Sequence, residues 1–157
     1  AVGGRREIME NLSPIGKVFH AGTLAGNPLA TAAGLAALNE LTDDVYMELG
    51  ARARKLAAIL RDAAEANGIP ALFPVVGTLV GMYLGSSDVN NTPTNFDEAK
   101  TTDEKLYAKL FHACLRSGIA LAPGAYEALF VGLGHDDAVM TELARRAEIA
   151  FAECAKS

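Results

Sequence analysis

The hydrophobic pattern of the chain changes at two short apolar runs, Leu72-Phe73-Pro74-Val75-Val76 and Val80-Gly81-Met82-Tyr83-Leu84. Both runs are rich in β-branched or aromatic residues, and Gly77 lies between them as a turn signal. This pattern is typical of two strands that pair as a hairpin or a meander. The segments on either side repeat their apolar residues at helical spacing, so the chain combines strands with helices.

Two helices are predicted before the strands. Residues 28–41 carry a narrow stripe of small apolar residues, and Asn27-Pro28 provides a favourable N-cap and first helical residue. A second helix is predicted from the capping residues 42–44 to Asn67-Gly68, where glycine can adopt the left-handed conformation that ends a helix.

Further helices and strands are predicted after the hairpin. Thr101-Thr102-Asp103-Glu104 has the pattern of a capping box, which opens a helix that ends at Ser117-Gly118. Residues 119–122 and 128–133 are predicted strands, and Asp136 or Asp137 caps the last helix. The order strand, strand, helix, strand, strand, helix predicts an α+β fold.

Composition narrows the classes of partner. The chain has 157 residues, of which 50% are hydrophobic and 21% charged, as in a globular protein with a sizeable core. Its net charge is -5 with scattered basic residues, which argues against nucleic acid and anionic lipid as partners. We find no apolar run of transmembrane length and no signal-peptide pattern, so we expect no membrane partner and a cytoplasmic location.

The cysteines and histidines indicate neither a metal centre nor a disulfide bond. Cys114 and Cys154 fall on the apolar sides of predicted helices, which favours free buried thiols over a disulfide. The three histidines have no metal-ligand spacing, and we predict no metal site.

The stretch His20-Ala21-Gly22-Thr23-Leu24-Ala25-Gly26-Asn27-Pro28-Leu29-Ala30 places small residues and one hydroxyl directly before a helix. Free N–H groups at the start of that helix are expected to point back toward Gly22 and Thr23, where a phosphate would fit. Simple capping by Asn27 explains the same residues, and both interpretations remain open at this point.

Three segments, in this order and at these separations, resemble the class III aminotransferases, which are pyridoxal-phosphate (PLP) enzymes of fold type I. They are Gly3-Gly4-Arg5-Arg6-Glu7-Ile8-Met9, the stretch around Gly22, and Ala122-Pro123-Gly124-Ala125-Tyr126-Glu127-Ala128-Leu129-Phe130. The resemblance covers nearly the whole chain. Ala25 and Gly124 stand where the family has serine, and Tyr126 stands where it has phenylalanine.

The resemblance implies a domain organisation. Residues 68–157 would form the α+β C-terminal small domain, and residues 1–67 would form the end of the large cofactor-binding domain with long connecting helices. The lysine that bonds the cofactor would lie in a missing N-terminal part. None of the chain's six lysines has an apolar sequence context that would lower its pKa, so we expect the chain alone to be inactive.

The resemblance also implies a reaction and its site residues. The segment around Glu127 favours the aminomutases of the family, which move an amino group within one five-carbon substrate to give 5-aminolevulinate for tetrapyrrole synthesis. They use PLP and pyridoxamine phosphate (PMP) in a homodimer, where Gly22 and Thr23 would contact the phosphate of the neighbouring subunit's PLP. Glu127 would bind the amino group of the substrate or intermediate, whereas sequence alone favours a solvated turn carboxylate.

Two other functions remain open. Another class III aminotransferase would act between an ω-amino substrate and an oxo acid. A non-catalytic α+β ligand-binding regulatory module could have the same strands and helices, but it would not need residues 1–41.

Overall fold

A computed structural model describes residues 2–86 and 88–156. The chain divides into two compact units, Ala1–Thr42 and Asp43–Ser157, and each is described by itself. The helices are α1 (Arg6–Met9), α2 (Pro28–Glu40), α3 (Asp43–Ala66), α4 (Phe96–Ala99), α5 (Glu104–Arg116) and α6 (Asp137–Lys156), with a 3₁₀ turn at Val89–Asn91. The strands are β1 (Ala71–Leu72), β2 (Val75–Val76), β3 (Leu79–Val80), β4 (Tyr83–Leu84) and β5 (Leu129–Phe130). In the described ranges, we find no helix that is both long and apolar enough to cross a membrane.

The first unit contains α1 and α2 but buries no side chain. Every one of residues 2–42 keeps substantial solvent exposure. On α2, Leu29 is 82% exposed and Leu38 66%. The stripe of small residues predicted to allow close packing therefore has no packing partner within the described residues of the first unit. Since helices of this length depend on tertiary packing for most of their stability, α2 needs another surface to be firmly held.

The two apolar runs form one hairpin, as predicted. Ala71 pairs with Leu84 and Val75 pairs with Val80 in a single antiparallel register. The ladder is interrupted at Pro74, whose carbonyl accepts a hydrogen bond from the Gly81 N–H at 2.8 Å but which has no N–H to donate in return. Strand β5 then pairs antiparallel to β3, which gives a three-stranded sheet in the order β2-β3-β5.

Three helices cover the inner side of these strands. Helix α6 packs against α3 and α5, while α3 also contacts β3 and α5 contacts β4. The largest fully buried side chains are Phe151, Leu84, Leu110, Met140, Val80 and Cys114. Burial of each large apolar side chain contributes about 1.5–3 kcal/mol, so this layer of helices on strands holds the second unit together. The predicted α+β class is confirmed.

The predicted helix ends at glycine are also present. Gly68 and Gly118 follow α3 and α5 with φ angles of 64° and 80°, in the left-handed region that favours glycine. At the start of α6, the Asp136 carboxylate accepts a hydrogen bond from the Val139 N–H at 2.9 Å. Of the two aspartates considered for this cap, Asp136 is the one used.

The predicted capping box at α5 is wrong. The N-cap is Asp103, whose carboxylate accepts from the Leu106 N–H at 2.9 Å. The Thr101 hydroxyl instead donates to the Glu98 carbonyl at 2.7 Å, at the end of α4. Because α4 ends directly before this segment, Thr101 bonds to α4, and Asp103, two residues later, caps α5.

The predicted strand at residues 119–122 is also wrong, and the one at residues 128–133 is shortened to β5. The Ile119 N–H donates to the Cys114 carbonyl at 2.8 Å, which closes the end of α5. Ile119 and Leu121 pack against the hydrophobic core. Ile119 and Leu121 are therefore partly buried by side-chain packing, without a strand ladder.

The predicted boundary between residues 67 and 68 concerns the domains of a longer protein and stays a prediction. Within this chain, the compact units divide between Thr42 and Asp43. Helix α3 belongs to the second unit, because it packs against α6 and the strands.

Candidate functional site

The start of α2 is capped from within. The Asn27 side-chain oxygen accepts hydrogen bonds from the N–H groups of Leu29 at 3.0 Å and Ala30 at 3.1 Å. The Thr31 N–H donates to the Asn27 carbonyl, and Pro28 has no N–H. The prediction that free N–H groups of the helix itself point toward Gly22 and Thr23 is therefore wrong. Asn27 satisfies the orphan donors that every helix start presents.

Donors remain available in the turn that precedes this cap. The Ala25 N–H donates to the Gly22 carbonyl at 3.0 Å, which closes a turn over Gly22, Thr23 and Leu24. Within residues 2–86 and 88–156, we find no hydrogen-bond partner for the Thr23 hydroxyl or for the N–H groups of Gly22 and Thr23. All of these groups are exposed. N–H groups and hydroxyls are donors that can bind phosphate oxygens, so this turn is a candidate phosphate site.

All six lysines of the chain are exposed to solvent. Lys55 pairs with Asp137 at 2.6 Å, and Lys100 pairs with Asp97 at 2.7 Å. A lysine that acts as a nucleophile near neutral pH needs a desolvated or cationic setting that lowers its pKa. The side chains of these six lysines are in contact with solvent instead.

Glu127 lies on an exposed turn in the second unit. Its N–H donates to the Gly124 carbonyl at 3.4 Å, and a β-carbon at Gly124 would lie 3.6 Å from the Glu127 Cγ. We find no ion pair or side-chain hydrogen bond of the Glu127 carboxylate among the described residues. The carboxylate is therefore available to a cationic group from outside the described chain. The same geometry is expected of a solvated turn residue.

Tyr107 and Tyr126 each make a hydrogen bond at this turn that no sequence pattern indicates. The Tyr107 hydroxyl donates to the Ala122 carbonyl at 2.6 Å. Burial raises the pKa of Tyr107, and the nearby Cys114 and Glu127 raise it further. The Tyr126 hydroxyl donates to the Glu104 carboxylate, which raises the pKa of Tyr126.

The burial that the sequence pattern predicts for both cysteines is confirmed. Cys114 is 1% exposed and Cys154 is 4% exposed. Burial, together with Cys154, raises the pKa of Cys114 to about 12, so its thiol is protonated at neutral pH. In the part of the chain that the structure describes, no group of three or more metal-ligating side chains is close enough to hold an ion.

The chain is similar in sequence to curated proteins of known function. No protein-family model matches the chain. The chain is 41% identical over 152 residues to glutamate-1-semialdehyde 2,1-aminomutase of Polynucleobacter necessarius subsp. necessarius, a match that covers 96% of this chain and 34% of that protein. The chain spans about a third of the length of the curated relatives it matches.

Solved structures show the same fold. The structure of a β-phenylalanine aminotransferase from Variovorax paradoxus superposes with a TM-score of 0.68 and 26% sequence identity. The match covers 93% of this chain and 33% of the aminotransferase chain. A glutamate-1-semialdehyde aminomutase from Pseudomonas aeruginosa PAO1 in complex with PMP matches 88% of this chain and 31% of its own, with a TM-score of 0.69 and 24% identity. The resemblance found in the sequence is thus confirmed, and the chain is a relative of the glutamate-1-semialdehyde 2,1-aminomutases that corresponds to about a third of such a protein.

Proposed function

We propose that the chain is the C-terminal part of a glutamate-1-semialdehyde 2,1-aminomutase, which converts glutamate-1-semialdehyde into 5-aminolevulinate. The observation that carries the proposal is the 41% identity to a curated aminomutase over 96% of the chain. The match includes both the turn at Thr23 and the turn at Glu127 in a single alignment. A small regulatory module would account only for the second unit.

The proposal includes PLP and PMP as cofactors, because a solved structural neighbour with this name is in complex with PMP. When bound, such a cofactor supplies an amine carrier and an electron sink for the transfer of the amino group. A homodimer, a cytoplasmic location and a place in tetrapyrrole (porphyrin) synthesis belong to the same proposal. They follow from the family that the sequence resembles.

The turn at Gly22 and Thr23 would bind the cofactor's phosphate from the neighbouring subunit. Its support is the set of exposed donors that have no partner within the described chain. The N–H groups and the hydroxyl would donate to phosphate oxygens, and bonds to a charged acceptor are stronger than bonds between neutral groups. Asn27 has the separate task of capping α2.

Glu127 would hold the amino group of the substrate or intermediate. Its carboxylate is exposed and carries no ion pair among the described residues, so an ammonium group can approach it without displacing a cation of the protein. A charge-assisted hydrogen bond at this position would orient the amine for transfer.

The lysine that bonds the cofactor would come from the remaining two thirds of the enzyme. All six lysines of the chain are exposed, which supports this part of the proposal. We call the chain together with this remainder the complete enzyme, whether the remainder is covalently continuous with the chain or a separate subunit. The chain alone would be inactive.

A second candidate is a class III aminotransferase that transfers an amino group between two molecules. The structural match to the β-phenylalanine aminotransferase at 26% identity favours it to a lesser degree. The two functions differ in one chemical requirement. An aminomutase returns the amino group to the same carbon skeleton, whereas an aminotransferase needs a separate acceptor.

We expect the complete enzyme to form 5-aminolevulinate from glutamate-1-semialdehyde with no added amino donor or oxo acid. Product can be followed by mass spectrometry, with an ω-amino acid and an oxo acid supplied in a parallel reaction. A strict requirement for the second pair of reactants would contradict the aminomutase and support the aminotransferase.

Thr23→Val in the complete enzyme removes the hydroxyl while it keeps the shape of the side chain. We expect cofactor binding to weaken by about 1–3 kcal/mol, the usual effect of losing a hydrogen bond to a charged group. The measurement is the dissociation constant of PMP. Thr31→Val is the matched control, because the Thr31 hydroxyl donates to backbone carbonyls of Asn27 and Pro28. Equal affinities for wild type and Thr23→Val would leave capping as the only task of this segment.

Glu127→Gln keeps the volume of the side chain but removes its charge. We expect turnover to fall about tenfold or more, which corresponds to a loss of about 1.4 kcal/mol of transition-state stabilisation. Stability should change by less than about 1 kcal/mol, because the side chain is exposed. Turnover and urea unfolding are measured on one preparation, with Glu148→Gln on the exposed side of α6 as the control. Lost stability with unchanged turnover per folded enzyme would assign Glu127 a structural role.

A further inference from the structure

The turn that carries Glu127 has little backbone support of its own. Outside the β3–β5 ladder, the backbone of residues 120–128 makes one described backbone hydrogen bond, between the Glu127 N–H and the Gly124 carbonyl at 3.4 Å. That distance is long for an N–H···O bond. Residues 119–122 do not belong to any strand. The turn therefore depends on side-chain contacts for a fixed geometry.

Tyr107 fixes the start of the turn. It lies on the buried side of α5 with 4% of its surface exposed. Its hydroxyl donates to the Ala122 carbonyl at 2.6 Å, directly before Pro123. A buried phenol hydroxyl without a hydrogen-bond partner is energetically unfavourable. The bond satisfies the Tyr107 hydroxyl and also provides a donor for the Ala122 carbonyl.

Tyr126 fixes the end of the turn, next to Glu127. Its hydroxyl donates to the carboxylate of Glu104 in the first turn of α5. Its ring meets the Phe96 ring edge to face, with centroids 5.5 Å apart. Between the two tyrosines, the Ala125 side chain is 8% exposed and belongs to the hydrophobic core. At the position of Tyr126, the class III family that the sequence resembles has phenylalanine, which has no hydroxyl. The bond from Tyr126 to Glu104 is therefore a feature of this chain's own sequence.

We propose that α5 sets the direction of the Glu127 carboxylate through the hydroxyls of Tyr107 and Tyr126, which act as positioning residues. The proposal rests on the proposed function of Glu127. The two bonds hold the turn at both ends, and the helix that anchors them is locked into the core by the fully buried Leu110 and Cys114. Removal of either hydroxyl leaves the fold but loosens the turn.

The first test uses the full 157-residue chain and requires no activity. Tyr107→Phe and Tyr126→Phe each remove one hydroxyl. Amide hydrogen exchange at Glu127, whose N–H donates to the Gly124 carbonyl, should become about three- to tenfold faster in each variant, as expected for the loss of one hydrogen bond that holds a local structure. Urea unfolding of each variant separates this local effect from global stability.

Tyr46→Phe is the matched control for the exchange experiment. Tyr46 is 51% exposed on α3, and we find no hydrogen-bond partner for its hydroxyl among the described residues. Its removal should leave exchange in the turn unchanged. Unchanged exchange at the Glu127 amide in both Tyr107→Phe and Tyr126→Phe would overturn the proposal.

The second test uses the complete enzyme and asks whether the hydroxyls act through Glu127. Each tyrosine variant should lower kcat, and combining either with Glu127→Gln should lower it no further than Glu127→Gln alone. Multiplied losses would show that the tyrosines act independently of Glu127, against the proposal. If Glu127→Gln leaves turnover unchanged, the proposed role of Glu127 fails and the positioning role fails with it. The exchange rates distinguish that case from a failure of the hydrogen bonds themselves.

Discussion

Close packing of α3, α5 and α6 over the hairpin is the constraint on which the second unit depends. Phe151 on α6 is fully buried, as are Leu110 on α5 and Val80 on the hairpin. Interiors of this kind have the density of organic crystals, so the helices have little freedom to shift or rotate. Because α5 is held in this way, Tyr107 and Glu104 present fixed hydrogen-bonding groups to the turn at residues 123–127. The geometry around Glu127 thus follows from the apolar core.

The first unit shows the opposite balance of burial and exposure. None of residues 2–42 is buried, and the donors of Gly22 and Thr23 are exposed. Water can accept hydrogen bonds from these exposed donors. Their hydrogen bonds become stronger when a charged acceptor replaces the water in a desolvated site. The candidate binding groups of both units are therefore available to groups outside the described chain. This supports the proposal that the remainder of the enzyme and a neighbouring subunit complete the site.

The elements set by local chemistry could be predicted from the sequence. Gly68 and Gly118 end helices because each takes a positive φ, and the hairpin follows from two apolar runs around Gly77. The predicted capping box at Thr101 is wrong because the Thr101 hydroxyl donates to the Glu98 carbonyl in α4 instead. The strand predicted at residues 119–122 is wrong because the apolar side chains of Ile119 and Leu121 pack partly against the core without strand pairing. Neither competing contact is visible in a local sequence pattern.

The candidate site was predictable only in part. Gly22, Thr23 and Glu127 came from the resemblance to a family, since each has an ordinary explanation as a turn residue. The free N–H groups expected at α2 are used by Asn27, which the sequence already identified as the cap. The bonds of Tyr107 and Tyr126 join residues 15 and 22 positions apart, and only the folded structure brings them together.

The central claim is that this chain contributes binding groups to a PLP enzyme whose cofactor-bonding lysine lies elsewhere. The most direct measurement is incubation of the chain with PLP, followed by borohydride reduction and peptide mapping. The account predicts no single lysine labelled in stoichiometric amount in the chain alone, and one labelled lysine outside the chain in the complete enzyme. A uniquely and stoichiometrically labelled lysine within residues 1–157 would contradict it.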